Sequence, residues 1–150
     1  MKKLSVVIIG RNEETYIGRT VSAVLKATET IPSTEIVYVD SASSDETVSI
    51  VSRYPVRILR LKESRELSSA AGRYIGYMNT SGSYVLFVDG DTLIYRKWPE
   101  QGMKFLENHP QAGGTAGILH ELFTNENGAV IRLKKNRYGQ QPGITRVRMF

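Results

Sequence analysis

Tyr84-Val85-Leu86-Phe87-Val88-Asp89-Gly90-Asp91, the run YVLFVDGD, sets an uninterrupted apolar stretch directly against an acidic turn. Apolar side chains that do not alternate with polar ones read as a strand buried on both faces, the pattern of a parallel sheet covered by helices. The segments upstream repeat it. Leu4 to Ile9 is a β-branched run closed by Gly10, Glu35 to Val39 reads EIVYV, and Val56 to Leu61 follows Pro55. Helical spacing fills the gaps: Ile17, Val21, Val24 and Leu25 after the first strand, Val48, Val51 and Tyr54 after the second. After the third, Leu67, Ala70, Ala71, Tyr74, Ile75 and Met78 form an apolar stripe with a 3.6-residue period. Alternation of this kind predicts a three-layer α/β/α sandwich with a mostly parallel central sheet.

Local signals set the expected boundaries. Asn12 is expected to cap the first helix, with Glu13 and Glu14 at its positive end, and Ser43 with Glu46 has capping-box spacing for the second. Beyond residue 92 the pattern weakens to a short helix around Pro99 to Asn108 and two candidate strands, Gly113 to Leu119 and Ala129 to Leu133.

The 150 residues and 41% hydrophobic content suit one domain with a sizeable core, read here as a single unit over 1–150 that stops short at Arg148-Met149-Phe150, as a C-terminally truncated domain does. The absence of cysteine excludes disulfides and thiolate metal sites, so any metal takes oxygen or histidine ligands. The apolar run after Lys2 and Lys3 is too short for a secretory signal or a membrane span, which points to a cytoplasmic protein. A net charge of +5 suits anionic partners. After Glu126 only basic charges follow, from Arg132 to Arg148, a stretch that reads as a solvated face or as a peripheral contact with phosphate or a membrane surface.

In an open parallel sheet, ligands bind beyond the carboxyl ends of the strands. Three segments deliver polar groups there: Gly10-Arg11-Asn12-Glu13, Asp40-Ser41 and Asp89-Gly90-Asp91. Two carboxylates flanking a glycine can hold Mg²⁺ or Mn²⁺, which take few protein carboxylates and complete their shell with water and phosphate oxygens. That donor set implies a diphosphate partner; an ordinary polar turn is the competing reading. Asp40 suits either a base or ribose contact or simple turn formation. Neither GxGxxG after the first strand nor GxxxxGK[ST] occurs, which argues against a dehydrogenase and a P-loop kinase. His109 and His120 lack metal-ligand spacing, and Trp98 reads as the anchor of a helix start.

The same residues resemble the family 2 glycosyltransferases of the Rossmann-like GT-A fold, over about the first 95 positions. SVVIIGRNEE is similar to the family's opening strand and loop, VDSASSDET to its VD-x-GS-x-D-x-T turn, and GRYIGYMNTSGSYVLFVDGD to its ARN-x-G segment leading into the DxD motif. By that resemblance Asp40 and Ser41 contact the nucleobase or ribose, and Gly10, Arg11, Asn12 and Glu13 line their pocket. Arg65 or Arg73 lies near the diphosphate, Asp89 and Gly90 face the ribose or donor sugar, and Asp91 is the principal metal ligand. The chain departs from the pattern at Ala42, where glycine is usual, and at Tyr74, where asparagine is usual. It also offers only Glu100, Glu107, Glu121 and Glu126 after Asp91, none in a segment similar to the family's general-base region, so no catalytic base is assigned.

The resemblance therefore implies metal-dependent, inverting transfer of a sugar from a nucleoside-diphosphate sugar to an acceptor hydroxyl, in polysaccharide, glycolipid or cell-wall synthesis. UDP is the expected nucleotide, with GDP or dTDP as alternatives, and no nucleic-acid partner is expected. A noncatalytic nucleotide-sugar-binding module that lacks the base is the competing function.

Overall fold

The computed structural model describes residues 4–117, 120–124, 130–135 and 147–149. Strands β1 (Leu4–Gly10), β2 (Thr34–Asp40), β3 (Arg57–Arg60) and β4 (Tyr84–Asp89) form one sheet in the order β3-β2-β1-β4. All three pairings are parallel. Helices α1 (Ile17–Thr28), α2 (Thr47–Val51) and α3 (Ser69–Met78) make the crossovers, and α4 (Trp98–Asn108) follows. The chain is thus the α/β sandwich that its non-alternating strands call for.

Each face of β1 enters a different core. Leu4, Val6 and Ile8 pack with Ile17, Val21 and Val24 of α1, Tyr38 of β2 and Val51 of α2. Val7 and Ile9 join Val37 and Val39 on the opposite face, beneath α3. Full burial of such side chains contributes on the order of 1.5–3 kcal/mol each, which is why β1, buried from Leu4 to Ile9, can sit inside the sheet.

Helix α3 sits differently from its apolar stripe. Gly72 and Gly76 are its buried residues, while Tyr74 and Met78 of the stripe remain 62% and 60% exposed. The cause is the depth of its seat. A Cβ on Gly76 would lie 3.2 Å from Val39 Cγ2 and closer still to Val7 Cγ1, so only a glycine face lets the helix come so near the sheet. Periodicity found the helix and misplaced its inward side.

Beyond Asp91, β5 (Thr92–Leu93), β6 (His120–Thr124), β7 (Val130–Lys135) and β8 (Val147–Met149) form a second sheet in the order β5-β8-β6-β7. Here β6 runs antiparallel to both neighbours, and β8 is parallel to β5. The expected strand over Gly113 to Leu119 is not formed at 113–117, which carry no regular structure; 118 and 119 lie outside the described residues. Among the described residues no helix is long and apolar enough to cross a membrane.

Candidate functional site

Register brings the polar segments level. Gly10 of β1 pairs with Asp40 of β2, and Ile9 with Asp89 of β4, so the chain leaves all three strands at one edge of the sheet. A cleft of roughly 410 Å³ opens there. Its walls are Ile9, Gly10, Arg11 and Glu13 from β1 and its loop, Ser41 after β2, Leu67, Ser68 and Ser69 at the start of α3, and Asp89, Gly90 and Asp91.

The acidic turn is fastened through the backbone of its glycine. Gly90 N donates to the Ile9 carbonyl at 2.7 Å, and the buried Thr20 hydroxyl donates to the Gly90 carbonyl at 2.8 Å. The φ of Gly90 is not in the left-handed region, but a Cβ there would lie 3.1 Å from both the Ile9 oxygen and Glu13 Cγ. Close approach, rather than an unusual backbone angle, therefore requires the glycine. Arg73, on the flank of α3, forms an ion pair with Asp89.

The loops after β1 and β2 are joined by reciprocal hydrogen bonds. Asn12 N donates to Ser43 Oγ at 3.0 Å, and Ser44 N donates to Asn12 Oδ1 at 2.9 Å. Glu13 N reaches Thr47 Oγ1 at 2.7 Å, Glu14 N reaches Asp45 Oδ2 at 3.2 Å, and Glu46 N reaches Glu14 Oε2 at 3.1 Å. Ser41 N donates to the Gly10 carbonyl at 2.9 Å.

Both expected caps are replaced by this arrangement. Asn12 takes a left-handed φ of 56° and serves the neighbouring loop, so α1 begins at Ile17 without a side-chain cap. Ser43 is occupied by Asn12, α2 starts after Glu46, and Asp45 accepts from Thr47 N at 3.0 Å instead. Ala42 also sits in the left-handed region, at φ 60°. The chain keeps the turn for which the resembling family uses glycine, at the cost of backbone strain.

Not every sequence candidate reaches the cleft. Gly10, Arg11, Glu13, Ser41, Asp89, Gly90 and Asp91 line it. Asp40 is fully buried beneath it, accepting from Ser43 N at 3.1 Å and facing Arg60 Nε at 3.9 Å, which makes it a support for the turn. Asn12 is absent from the wall, and Arg65 is exposed on the segment before α3 and does not line the cleft. His109, stacked on Phe105 with ring centroids 4.1 Å apart, lies elsewhere, as do Glu100 and Glu107 of α4. Leu67, which the sequence assigns to the apolar stripe of a helix, lines the cleft instead, together with Ser68 and Ser69, which the sequence did not single out. Ser68, whose Oγ accepts from Ala71 N at 3.1 Å, carried the signal, since a serine three positions ahead of a helical residue is a cap.

The electrostatics favour a cation. The carboxyl of Glu13 is pushed up to about 7 by burial and by the negative charges of Asp91, Asp45 and Asp89. Among the described residues no three His, Cys, Asp or Glu side chains are grouped closely enough to hold a metal alone. Two carboxylates on one turn, Asp89 engaged by Arg73 and Asp91 accepting from Thr92 Oγ1 at 3.5 Å, are a donor set of the kind that suits Mg²⁺ or Mn²⁺ completed by ligand phosphates.

A family model described as Glycosyl transferase family 2 matches residues 5–127. Among curated proteins, the Staphylococcus aureus poly(ribitol-phosphate) β-N-acetylglucosaminyltransferase TarS is 32% identical over 115 residues, which cover 73% of this chain and 20% of TarS. The crystal structure of TarS residues 1–349 in complex with UDP aligns with a TM-score of 0.62 at 23% identity, covering 85% of this chain and 43% of that one. The mannosyltransferase PcManGT from Pyrobaculum calidifontis, solved with GDP-Man and Mn²⁺, aligns with a TM-score of 0.62 at 21% identity, over 83% of this chain and 36% of that one. At these identities the two structures establish a shared fold. The chain thus spans a fifth of the curated relative's length, and less than half of either solved chain.

Proposed function

The chain belongs to glycosyl transferase family 2, and from that premise we propose that its cleft binds a nucleoside-diphosphate sugar for transfer to an acceptor hydroxyl. One observation carries the reading. The acidic Asp89-Gly90-Asp91 turn and Glu13 line one cleft with Ser41, Ser68 and Ser69, a set that combines carboxylates suited to a metal-diphosphate with hydroxyl-bearing residues suited to a nucleoside.

In this reading Asp91, with Asp89 beside it, holds Mn²⁺ or Mg²⁺. When bound, the ion neutralises charge on the departing diphosphate. Arg73 fixes the orientation of Asp89 and adds a cation close to the phosphates. Ser41, nine-tenths buried on the wall, offers a hydroxyl to the base or ribose, with Asp40 supporting it from below. UDP is the favoured nucleotide, GDP and dTDP the alternatives. The acceptor belongs to polysaccharide, glycolipid or cell-wall synthesis, and attack with inversion needs a base that no described cleft residue is assigned to provide. Donor binding is therefore the part of the cycle proposed for residues 4–117. We further propose work in the cytoplasm, with the basic stretch from Arg132 to Arg148 touching an anionic membrane surface.

The test is thermal stabilisation by UDP, GDP and dTDP, each with Mn²⁺, with Mg²⁺ and with chelator. Metal-dependent stabilisation by at least one diphosphate is expected. No response to any pair would sink the proposal.

A further inference from the structure

Residues 61–68 carry the chain from β3, at the sheet edge, across the end of β2 to α3. Both ends of this segment are anchored: Leu61 N donates to the Asp40 carbonyl at 2.8 Å, and Ser68 caps α3. Between these anchors residues 62–66 are exposed. From their midst Glu63 reaches back to the first loop, where its Oε2 accepts from Arg11 Nη2 at 2.9 Å.

With side chains 47% and 64% exposed, this ion pair adds little to stability and is screened by salt. It matters for where it holds Arg11. Arg11 lines the cleft together with three acidic residues, Glu13, Asp89 and Asp91, each of which would attract its guanidinium. Glu63, which does not itself line the cleft and follows by two residues the Leu61 amide bonded to Asp40, pairs with it instead and ties it to the segment that supplies Leu67, next to the strand end that supplies Ser41. An Arg11 engaged by Glu63 is drawn away from the acidic residues and supplies a flat, weakly hydrated cationic group beside Ser41 and Leu67.

Building on the donor-site reading above, we propose that Glu63 is a positioning residue for nucleobase recognition, holding the Arg11 guanidinium as a planar wall against which the base lies. A guanidinium stacks on an aromatic ring, whereas an ammonium presents no plane. The arrangement therefore selects an aromatic base over a bare phosphate or a sugar ring there.

Calorimetry with Mn²⁺ tests this, using UDP and, as a base-free probe, pyrophosphate, on the wild-type chain, Glu63→Gln, Arg11→Lys and the double variant. Each single variant is expected to weaken UDP roughly three- to fivefold and to leave pyrophosphate within about twofold. The double variant should be no weaker than Arg11→Lys alone, because Glu63 acts through Arg11. Simple removal of a negative charge at the mouth predicts the opposite sign, tighter binding of both ligands by Glu63→Gln. That result, unchanged UDP affinity, or equal weakening of both ligands overturns the proposal. If the wild-type chain binds pyrophosphate but none of UDP, GDP and dTDP, the base wall alone is refuted; if it binds none of the four, the donor-site reading falls and takes this inference with it.

Discussion

Gly72 and Gly76 occupy the same face of α3, yet an added methyl should act on them with opposite sign. In a helix interior, Gly→Ala gains about 1 kcal/mol where nothing obstructs the Cβ. At Gly72 the nearest atom to a built Cβ is Ile9 Cγ2 at 3.4 Å, an ordinary contact, so Gly72→Ala should stabilise by about 0.5–1 kcal/mol. At Gly76 the new methyl meets Val39 Cγ2 and Val7 Cγ2 at 3.2 Å and overlaps Val7 Cγ1. Both valines are completely buried and, being β-branched, have few rotamers into which to retreat. Overpacking of a closed core costs about 1–3 kcal/mol and sometimes more, and so deep an overlap belongs at the upper end, so with the helix gain of about 1 kcal/mol subtracted Gly76→Ala should lose about 2 kcal/mol. For a chain of this size that is a fall in Tm of roughly 4–8 °C, against a rise of roughly 1–4 °C for Gly72→Ala. Thermal and urea unfolding of the two variants measure the difference, and adding Val7→Ala to Gly76→Ala should recover part of the loss. Raising α3 also shifts Arg73 relative to Asp89, so Gly76→Ala should weaken metal-dependent nucleotide binding. Shifts of the same sign for both glycines, or strict additivity with Val7→Ala, would refute the account of how α3 is seated.

Three further outcomes are expected. Ala42→Gly should stabilise by about 0.5–1 kcal/mol, since relief of a left-handed φ of 60° outweighs the extra freedom of the unfolded chain, and Ala42→Val should destabilise; denaturant melts decide, and an unchanged midpoint in both contradicts the strain. Asp91→Asn should abolish stabilisation by Mn²⁺ with a nucleoside diphosphate while leaving the metal-free melting temperature nearly unchanged, and retained metal dependence would move the ligand role elsewhere. Because burial and neighbouring acids raise the Glu13 carboxyl from 4.5 to about 7, the folded chain keeps a proton that the unfolded chain releases, so stability declines as pH rises through that window. In chelator, Glu13→Gln should accordingly melt above the wild type beyond pH 7 and match it below about pH 4.5, whereas a constant offset would remove Glu13 as the cause.

The sheet was legible because continuous apolar runs such as VVII and YVLFV have few alternatives, although only β1 is buried on both faces along nearly its whole length as the pattern predicts; β4 is partly buried, with Phe87 39% exposed, and β3 is exposed at both ends. The acids at the carboxyl ends were legible for the same reason, since locating a strand locates the turn that follows it. What failed depended on partners distant in sequence. Asn12 and Ser43 look like helix caps by local spacing, but each is the other's partner across 31 residues. The stripe on α3 is real in the sequence, but Val7 and Val39 admit a glycine face in its place. Asp40 and Ser41 could not be separated by residue type, whereas strand alternation turns one under the cleft and the other onto its wall. Neither Glu63 nor Thr20 had any local mark, because each acts through a contact more than 50 residues away.

The hydrogen bonds that join the loops after β1 and β2 determine when the entropy of ordering the site is lost. Main-chain amides of Asn12, Glu13, Glu14, Ser44 and Glu46 are all committed to partners in the opposite loop or its helix, so this side of the cleft has little freedom left to surrender on binding. A ligand arriving here meets a floor already set during folding, so its binding energy is not spent on ordering these two loops.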